Sequence, residues 1–324
     1  MLGVSDQKYF VETSDLKKYF KTPKGMLHAV DGVNIGIEQG ETLGLVGESG
    51  CGKSTLGRVM IRLIERTSGD VRIGETDIYT LSRDELREYR KNAQMVFQDP
   101  YSSINPRLSV SDLISEPLRI HRVYDDSKKM MERVRELMDT VGLAERLSNA
   151  YPHELDGGRR QRIGIARALA LTPQFIVLDE PVSALDVSIQ AQILNLLQDL
   201  KDDLGFTYLF ISHNLSVVKH ISDRIAVMYL GRVIEMTSRD ELFANTLHPY
   251  TQALLSAIPI ARFGERRKRI ILEGDVPSPV NPPQGCRFFG RCPSRRPNCA
   301  ESAPELVEAA KGHYVACFYP GPIK

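Results

Sequence analysis

The chain has 324 residues, a length that corresponds to about two domains of roughly 150 residues each. A hydrophobic share of 42% excludes an intrinsically disordered chain, and the net charge of +1 argues against nucleic acid as a partner. The apolar runs are far shorter than the ~20 residues that cross a bilayer. The first residues lack the basic and apolar layout of a secretory signal, so we expect a cytoplasmic location.

The first part of the chain predicts strands joined by turns, together with one helix. Thr42–Val46 is a short apolar run that ends in glycines, and Ser54–Glu65 carries apolar residues at helical spacing. Gln94–Phe97 has the pattern of another buried strand. A helical stretch follows, with helices predicted over Lys128–Val141 and Arg160–Leu171.

Strand and helix then alternate again. A strand over Phe175–Leu178, a helix over Ser188–Leu204 and a strand over Phe206–Ile211 predict a mostly parallel sheet covered by helices. The preceding helical stretch is then an insert in an α/β core. After about Pro249 the chain becomes rich in Pro, Gly and Cys, which indicates a separate small module. We therefore expect an α/β core over residues 1–98 and 172–250, a helical subdomain over 99–171 and a loop-rich module over 251–324.

A glycine-rich segment between a predicted strand and a predicted helix matches the pattern G-x-x-x-x-G-K-[ST]. Its residues are Gly47, Glu48, Ser49, Gly50, Cys51, Gly52, Lys53 and Ser54. The glycines let the backbone N–H groups point into one concavity, and the N-terminus of the next helix attracts anions. Lys53 is placed to reach nucleotide phosphates, and the Ser54 hydroxyl to ligate Mg²⁺. A plain glycine-rich turn is the alternative, and Cys51 is interpreted as a loop residue.

A second segment of interest is an apolar run that ends in two carboxylates. Residues 175–178 are apolar, and Asp179 and Glu180 follow them directly. In a nucleotide hydrolase, Asp179 would hold Mg²⁺ through its hydration shell and Glu180 would polarise the attacking water. The first turn of an acidic helix would explain the same residues. The presence of the phosphate loop upstream favours the catalytic interpretation.

The segment from Tyr151 to Leu169 lies between these motifs and resembles the signature segment of ABC-type ATPases. The other family positions follow in order, namely the Q-loop glutamine Gln98, the D-loop from Ser183 to Asp186 and the switch histidine His213. Tyr19 resembles the aromatic residue that stacks on adenine, although Phe20 is the alternative. The resemblance implies a P-loop NTPase with a RecA-like core, a helical insert, and ATP and Mg²⁺ as ligands.

The resemblance also implies a role for each matched position. The residues that would act in catalysis are Glu180, His213 and Gln98, and those that would hold Mg²⁺ are Ser54, Gln98 and Asp179. The residues that would contact nucleotide are Tyr19, the phosphate loop, Thr55, Gln98 and Asp179, and, across a head-to-tail pair of ATPases, Asp156, Gly157 and Gly158. Closure of such a pair on ATP, and its opening after hydrolysis, would drive two membrane subunits between inward-facing and outward-facing states.

Several segments narrow the resemblance to the ATP-binding subunits of dipeptide and oligopeptide importers. They run from Gln98 to Pro106, Ala184 to Gln192, His248 to Leu255, Pro277 to Pro279 and Gly285 to Pro293. The likeness covers nearly the whole chain. Such importers have two paired ATPase types, and these segments resemble more closely the type that is usually named second. It implies two transmembrane permease subunits docked near Gln98 beside the helical insert, a second and different ATPase, and an extracellular or periplasmic solute-binding protein. The chain would lie on the cytoplasmic face of the membrane.

The signature departs from the family pattern Leu-Ser-Gly-Gly-Gln at two positions. Asp156 stands in place of serine and Arg159 in place of glutamine. Asp caps a helix as well as Ser does, but an ionised Asp some 4 Å from a γ-phosphate oxygen is repelled by roughly 1–4 kcal/mol per charge pair. Arg159 would offset part of this repulsion. We hypothesise a heterodimer with one hydrolysing site and one slow or holding site, the alternative being that Asp156 has little effect.

The cysteines are unevenly placed. Cys51 lies in the phosphate loop, and the other four are Cys286, Cys292, Cys299 and Cys317. A reducing cytoplasm argues against disulfides, and four thiolates suit zinc or an iron–sulfur cluster equally, with free thiols as a third alternative. The module resembles one that carries a [4Fe–4S] cluster in dipeptide and oligopeptide importers, and this favours the cluster over zinc. Its expected role is to staple a module with little apolar core.

Three other functions compete with an importer ATPase. An ABC ATPase of DNA repair or translation is disfavoured because the sequence lacks a long coiled-coil insert and a basic charge. A regulatory subunit that does not hydrolyse ATP is suggested by Asp156, and an iron–sulfur redox enzyme would need a second substrate site. The solute also stays open between peptides, oligosaccharides and nickel.

Overall fold

A computed structural model describes residues 9–258 and 269–323, so the first residues, for which we expected no secretory signal, lie outside the described ranges. The strands are β1 (Val11–Thr22), β2 (Gly25–Ile37), β3 (Thr42–Val46), β4 (Ser68–Ile73), β5 (Thr76–Asp77), β6 (Ala93–Val96), β7 (Phe175–Asp179), β8 (Thr207–Ser212), β9 (Arg224–Tyr229), β10 (Arg232–Ser238), β11 (Val307–Ala310) and β12 (His313–Val315).

The helices alternate with these strands through much of the chain. They are α1 (Lys53–Met60), α2 (Arg83–Tyr89), α3 (Pro100–Ser103), α4 (Val110–Ile120), α5 (Ser127–Thr140), α6 (Gly157–Leu169), α7 (Val187–Leu204), α8 (Leu215–Ile221), α9 (Arg239–Ala244), α10 (Pro249–Ser256) and α11 (Asn298–Glu301). Within the described ranges, no helix is both long enough and apolar enough to cross a membrane.

The predicted elements are present, with shifts at their ends. The predictions over 42–46, 94–97, 128–141, 160–171, 175–178, 188–204 and 206–211 correspond to β3, β6, α5, α6, β7, α7 and β8. The prediction of a helix over Ser54–Glu65 was wrong at its end, because α1 stops at Met60. Arg62 adopts a left-handed φ of 51°, a conformation that an α-helix does not continue through.

The chain divides into two compact units, Met1–Tyr79 with Ile211–Lys324, and Thr80–Phe210. In the first unit, one sheet is antiparallel and has the strand order β2-β1-β4-β5. The first unit also contains the parallel pair β3 and β9, which continues through the antiparallel strands β10, β12 and β11. Every residue of β3 is buried, as is typical of a strand covered on both faces.

In the second unit, β6 and β7 pair in parallel, with Gln94 opposite Ile176, and β8 follows β7 in the sheet. Between β6 and β7 the chain forms α3 to α6, and α6 packs against α4 and α5. The predicted α/β fold with a helical insert is therefore confirmed. The antiparallel strands of the first unit make the sheet mixed, whereas the alternation of strands and helices had predicted a mostly parallel one.

The C-terminal residues join the core of the first unit through backbone pairing and through aromatic packing. β12 pairs with β10, with Val315 opposite Glu235. Phe288 is 2% exposed and packs edge-on against Tyr229 and Tyr250, with ring centroids 5.3 and 5.5 Å away. Aromatic contacts of this kind add to the stabilisation that burial alone provides.

A buried carboxylate fixes the junction between β10, β12 and the start of α10. Glu235 is fully buried and accepts hydrogen bonds from the backbone N–H groups of Leu247 at 2.7 Å and His248 at 3.1 Å. His313 Nε2 lies 2.9 Å from Glu235 Oε1, and the histidine side chain is 1% exposed. A buried charge needs such partners, since removing one of them leaves the charge uncompensated.

We therefore expect His313→Ala to lower the free energy of unfolding by about 3 kcal/mol, because Glu235 would lose a buried partner. Urea denaturation followed by circular dichroism measures this change. His220→Ala is the matched control, since His220 is exposed on α8 and its loss should cost no more than about 0.5 kcal/mol. Equal stability of the two variants would contradict the proposed anchoring role of Glu235.

Candidate nucleotide-binding site

The phosphate loop connects β3 to α1 in the first unit. Gly52 caps α1 with a φ of 108°, and Gly47 has a φ of 158°. A Cβ atom at Gly47 would collide with the carbonyl oxygen of Met228, and one at Gly52 with that of Ala29. These two positions therefore require glycine for backbone conformation and for close approach. The structure thus confirms the strand–loop–helix context predicted for this segment.

Lys53 begins α1, and its ammonium group lies within the loop itself. Its Nζ donates to the carbonyl oxygens of Gly47 at 2.8 Å and Glu48 at 3.0 Å, and the residue is 5% exposed. Ser54 and Thr55 follow it in the first turn of α1, half-buried, while Ser49 and Gly50 lie exposed at the loop tip. A lysine beside a helix N-terminus and a curled glycine loop is an environment suited to phosphate.

Cys51 is a buried member of the same loop. It is 4% exposed, and its backbone carbonyl accepts a hydrogen bond of 2.8 Å from the N–H of Gly231. Burial raises the pKa of its thiol, and nearby Lys53 only partly opposes this. A buried, protonated thiol is a poor nucleophile, which agrees with the interpretation of Cys51 as a loop residue.

Glu48 is held from two sides by residues near the C-terminus. Its backbone N–H donates to the Tyr250 hydroxyl at 3.0 Å. Its carboxylate accepts two hydrogen bonds from Arg291, at 2.8 and 3.1 Å, and the Arg291 side chain is only 9% exposed. Sequence reasoning missed this pair. The segment Gly285 to Pro293 contains two arginines, and nothing in the sequence connects either of them to the phosphate loop.

Tyr19, on β1, has an ordered environment in the first unit. Its ring stacks on His28, with centroids 3.9 Å apart, and its hydroxyl donates to Asp31. Burial opposes ionisation of Asp31, but the hydrogen bond from Tyr19 and the charges of Arg287 and Arg232 lower the pKa of this carboxyl to about 2. The alternative aromatic, Phe20, is 38% exposed and its ring contacts the Lys18 ammonium at 4.8 Å.

The two predicted carboxylates lie at the end of β7 in the second unit. Asp179 is fully buried and Glu180 is 9% exposed. Glu180 Oε2 accepts a hydrogen bond of 3.1 Å from Gln98 Nε2, so the structure brings these two predicted residues together. Glu180 also has a left-handed φ of 46°. Such a conformation is costly for a residue with a Cβ and is frequent at functional sites.

The D-loop that follows Glu180 is held by hydrogen bonds from Ser183 and from Gln190 on α7. Ser183 Oγ donates to the Glu180 carbonyl at 3.1 Å, and Gln190 Nε2 donates to the carbonyls of Val182 and Leu185, both at 2.9 Å. Asp186 caps α7 by accepting from the Ile189 N–H at 3.0 Å. These contacts give the loop after the carboxylates a defined shape.

His213 follows β8 directly and is exposed in the first unit. The next residue, Asn214, caps α8 by accepting from the Ser216 N–H at 2.9 Å, and its own N–H donates to Ser212 Oγ at 3.0 Å. The histidine therefore stands at the carboxyl end of a strand, the position at which open α/β sheets present their ligand-binding residues.

The signature residues form the N-terminus of α6. Asp156 caps this helix by accepting from the Arg159 N–H at 2.8 Å. Arg159 Nη1 also lies 3.4 Å from Asp156 Oδ2, with both side chains about half exposed. Gly158 has no room for a Cβ, which would come within 2.6 Å of Ile189 on α7. The arginine thus pairs with the aspartate that departs from the family pattern.

The four C-terminal cysteines line one pocket in the first unit, together with His248 and Phe288. Burial raises the pKa of Cys317 to about 11, and the neighbouring thiols of Cys292, Cys286 and Cys299 add to the effect. Isolated thiolates are disfavoured there, and a bound cation would stabilise them. Among the described residues, however, no group of three or more His, Cys, Asp and Glu side chains is arranged to hold a metal ion.

Comparison with known proteins places these motifs in a family. The family described as ABC transporter matches residues 30–183, and the family described as oligopeptide/dipeptide transporter, C-terminal region, matches residues 234–299. The oligopeptide transport ATP-binding protein AppF of Bacillus subtilis (strain 168) is 53% identical over 326 residues, covering 98% of this chain and 99% of AppF. The corresponding protein OppF of Salmonella typhimurium is 50% identical, covering 100% of this chain and 97% of OppF.

Solved structures agree with this placement. The ATP-binding cassette MJ0796, in a dimeric post-hydrolysis state bound to ADP and Pi, is 31% identical to this chain with a TM-score of 0.66. That match covers 71% of this chain and 98% of the cassette. The first family match includes the phosphate loop and the carboxylates at the end of β7, and the second includes Cys286, Cys292 and Cys299. The match to AppF extends over 98% of the chain. The chain therefore belongs to the ABC transporter ATPases, in the group of oligopeptide and dipeptide transport ATP-binding proteins.

Proposed function

We propose that this chain binds and hydrolyses Mg²⁺–ATP and thereby powers the import of peptides through an ABC transporter. The observation that carries the proposal is the phosphate loop, in which Lys53 lies among backbone carbonyls at the start of α1. The proposal is also supported by relatives that are named oligopeptide transport ATP-binding proteins over their full length.

The chain's own residues then divide the work at the nucleotide. Lys53 and the loop amides bind the β- and γ-phosphates, and the ring of Tyr19 stacks on adenine. Ser54, Gln98 and Asp179 would hold Mg²⁺, which neutralises developing charge on the phosphates when it is bound. Asp179 suits this role because it is a buried carboxylate at the end of a strand.

Glu180 is the proposed general base, and Gln98 is its orienting partner. The hydrogen bond from Gln98 orients the Glu180 carboxylate, which would accept a proton from the attacking water. His213 would contact the γ-phosphate and report its presence. The left-handed backbone of Glu180 is a strained conformation of the kind that is frequent at functional sites.

Glu180→Gln should lower the ATP turnover of the assembled transporter about 10²- to 10³-fold while leaving ATP binding intact, because the amide cannot accept the proton. Phosphate release and binding of a fluorescent ATP analogue measure the two quantities. Asp203→Asn is the control, since it removes an exposed carboxylate of α7 and should leave turnover unchanged. Full turnover in Glu180→Gln would refute the assignment of the base.

The permease partners would bind in the second unit, near Gln98. A groove there is lined by residues of β6, α4 and α6, among them Pro117 and Arg167, and by Phe97, which follows β6. Phe97 is 39% exposed and Tyr101 is 57% exposed, so apolar surface is available to a helix of a membrane subunit. We propose two such permeases, a solute-binding protein outside the membrane, and a peripheral position for this chain on the cytoplasmic face.

The partner ATPase would be a different chain. It would belong to the other of the two ATPase types that pair in such importers, so the two chains would form a heterodimer. The support is the departure at Asp156, whose charge is unfavourable beside a γ-phosphate held by the partner. The ion pair with Arg159 offsets part of that charge within this chain. Each ATP would lie between one subunit's phosphate loop and the other's signature. The residue ranges 99–171 and 251–324 would then act as the signature subdomain and the C-terminal module.

The double variant Asp156→Ser with Arg159→Gln should change the ATP turnover of the complete transporter less than Glu180→Gln does. The reason is that Asp156 completes the slow site, whereas Glu180 acts at the site that hydrolyses. Steady-state phosphate release from the two variants, measured with the same partner subunits, gives the ranking. A larger effect of the signature variant would refute the unequal-site hypothesis. Absence of hydrolysis in all forms, the unmodified transporter included, would favour a regulatory subunit.

The C-terminal thiol pocket would hold a [4Fe–4S] cluster through Cys286, Cys292, Cys299 and Cys317, with zinc as the alternative. The fit rests on four thiols around one pocket, and burial raises the pKa of three of them, Cys286, Cys292 and Cys317, which disfavours uncompensated thiolates there. A cluster would cross-link loop-rich segments that have little regular structure of their own. Its proposed contribution is structural.

Anaerobically purified protein should be brown, with absorbance at about 400 nm, because thiolate-bound iron clusters absorb there. Cys317→Ser should lose most of this absorbance and unfold at a lower temperature. The matched control is Cys51→Ser, since Cys51 lies outside the thiol pocket and the colour should persist. A colourless protein that contains zinc would refute the cluster and leave the metal site.

A further inference from the structure

A short segment of the C-terminal module carries two arginines that reach residues of the proposed nucleotide site. Arg287 and Arg291 lie between Cys286 and Cys292. We propose that both are positioning residues for ATP, with Arg291 acting on the phosphate loop through Glu48 and Arg287 acting on Tyr19 through Asp31. The inference rests on the proposed nucleotide roles of the phosphate loop and Tyr19.

Arg291 fixes the first part of the phosphate loop. Its guanidinium binds both carboxylate oxygens of Glu48, at 2.8 and 3.1 Å, which is the two-point geometry that constrains orientation as well as distance. The same residue of the loop donates its backbone N–H to Tyr250. Glu48 is therefore held through its side chain and its backbone at once. The loop N–H groups that follow it depend on this fixed start for their direction.

Arg287 acts on Tyr19, the proposed adenine-stacking residue, through Asp31. Its side chain is 6% exposed, and it donates both to the Leu230 carbonyl and to Asp31. Asp31 in turn accepts the hydrogen bond from the Tyr19 hydroxyl. Because Arg287 donates to the carboxyl of Asp31, it fixes the acceptor that holds the Tyr19 ring in its stack with His28. Arg232 also pairs with Asp31 at 3.2 Å, so the loss of Arg287 weakens this arrangement without removing it.

The two arginines are carried by one turn that is held by packing and by backbone hydrogen bonds. Between them, Phe288 is buried among Tyr229 and Tyr250, and the backbone N–H of Arg291 donates to the Phe288 carbonyl at 3.0 Å. The N–H of Cys286 donates to the Cys299 carbonyl at 2.8 Å, which ties the turn to the rest of the module. A displacement of this segment would therefore reach Glu48 and Asp31 together.

Ion pairs that only stabilise the fold, without positioning the ligand, would have a different effect on nucleotide binding. They would lower the stability of the chain when removed, but the folded fraction would still bind nucleotide normally. Positioning residues instead lower the affinity of folded protein, and each does so only for the part of the ligand that it serves. A comparison of ATP with a polyphosphate that has no base therefore distinguishes a positioning role from a purely structural one.

The test measures binding of a fluorescent ATP analogue to the full chain, and its displacement by ATP and by inorganic tripolyphosphate. Arg291→Ala should weaken the binding of both ATP and tripolyphosphate about tenfold, because the phosphate loop would be misplaced. Arg287→Ala should weaken ATP binding about threefold and leave tripolyphosphate binding unchanged, because Arg287 acts only on the residue that contacts adenine. The double variant Glu48→Ala with Arg291→Ala should be no weaker than Glu48→Ala alone, since Arg291 acts through Glu48.

Two further variants separate the possible failures. Arg296→Ala removes an exposed arginine of the same module, whose guanidinium lies 3.8 Å from the Tyr319 ring centroid, and should not change either affinity. Lys53→Ala should abolish binding, and retained binding would overturn the proposed function itself. With Lys53→Ala inactive, unchanged affinities in folded Arg291→Ala and Arg287→Ala would overturn the positioning role alone. If Arg296→Ala lost as much affinity, the positioning role would be contradicted, and the effect of the arginines would be one of general stability of the module.

Discussion

The ion pair between Arg291 and Glu48 joins the C-terminal module to the phosphate loop across 243 residues of sequence. A loop of small residues has little packing of its own, so its shape must come from neighbours. Here the neighbours are Met228 and Ala29, whose carbonyls exclude a side chain at two glycines, together with Tyr250 and Arg291. Two of these four residues belong to the C-terminal part of the chain. The loop is thus shaped by residues distant in sequence.

That arrangement requires the C-terminal residues to be fixed to the core, and three separate interactions achieve this. β12 adds to the edge of β10, Phe288 fills a space beside Tyr229 and Tyr250, and His313 pairs with the buried Glu235. A segment rich in turns and proline has too little apolar surface to fold by itself. It is ordered here by pairing and packing against strands of the first unit. A metal or cluster at the thiols would add to these contacts.

The predicted site residues illustrate which features follow from sequence. The phosphate loop, the two carboxylates at the end of β7 and the Asp156 cap of α6 are local patterns, and the structure places each on the predicted type of element. The end of α1 was missed because Arg62 adopts a left-handed conformation that no spacing rule reveals. β11 and β12 were missed because they are short and the four residues of β11 are exposed. Arg291 was missed because its partner lies 243 residues away.

The most direct test of this account is hydrogen exchange of the phosphate loop, measured by mass spectrometry on the full chain. Exchange reports how often a backbone amide opens, independently of catalysis. The account predicts that the amides of residues 47–54 exchange faster in Arg291→Ala than in the unmodified protein, whereas those of α6 keep their rate. Identical exchange of the phosphate loop in the two proteins, both folded, would contradict it.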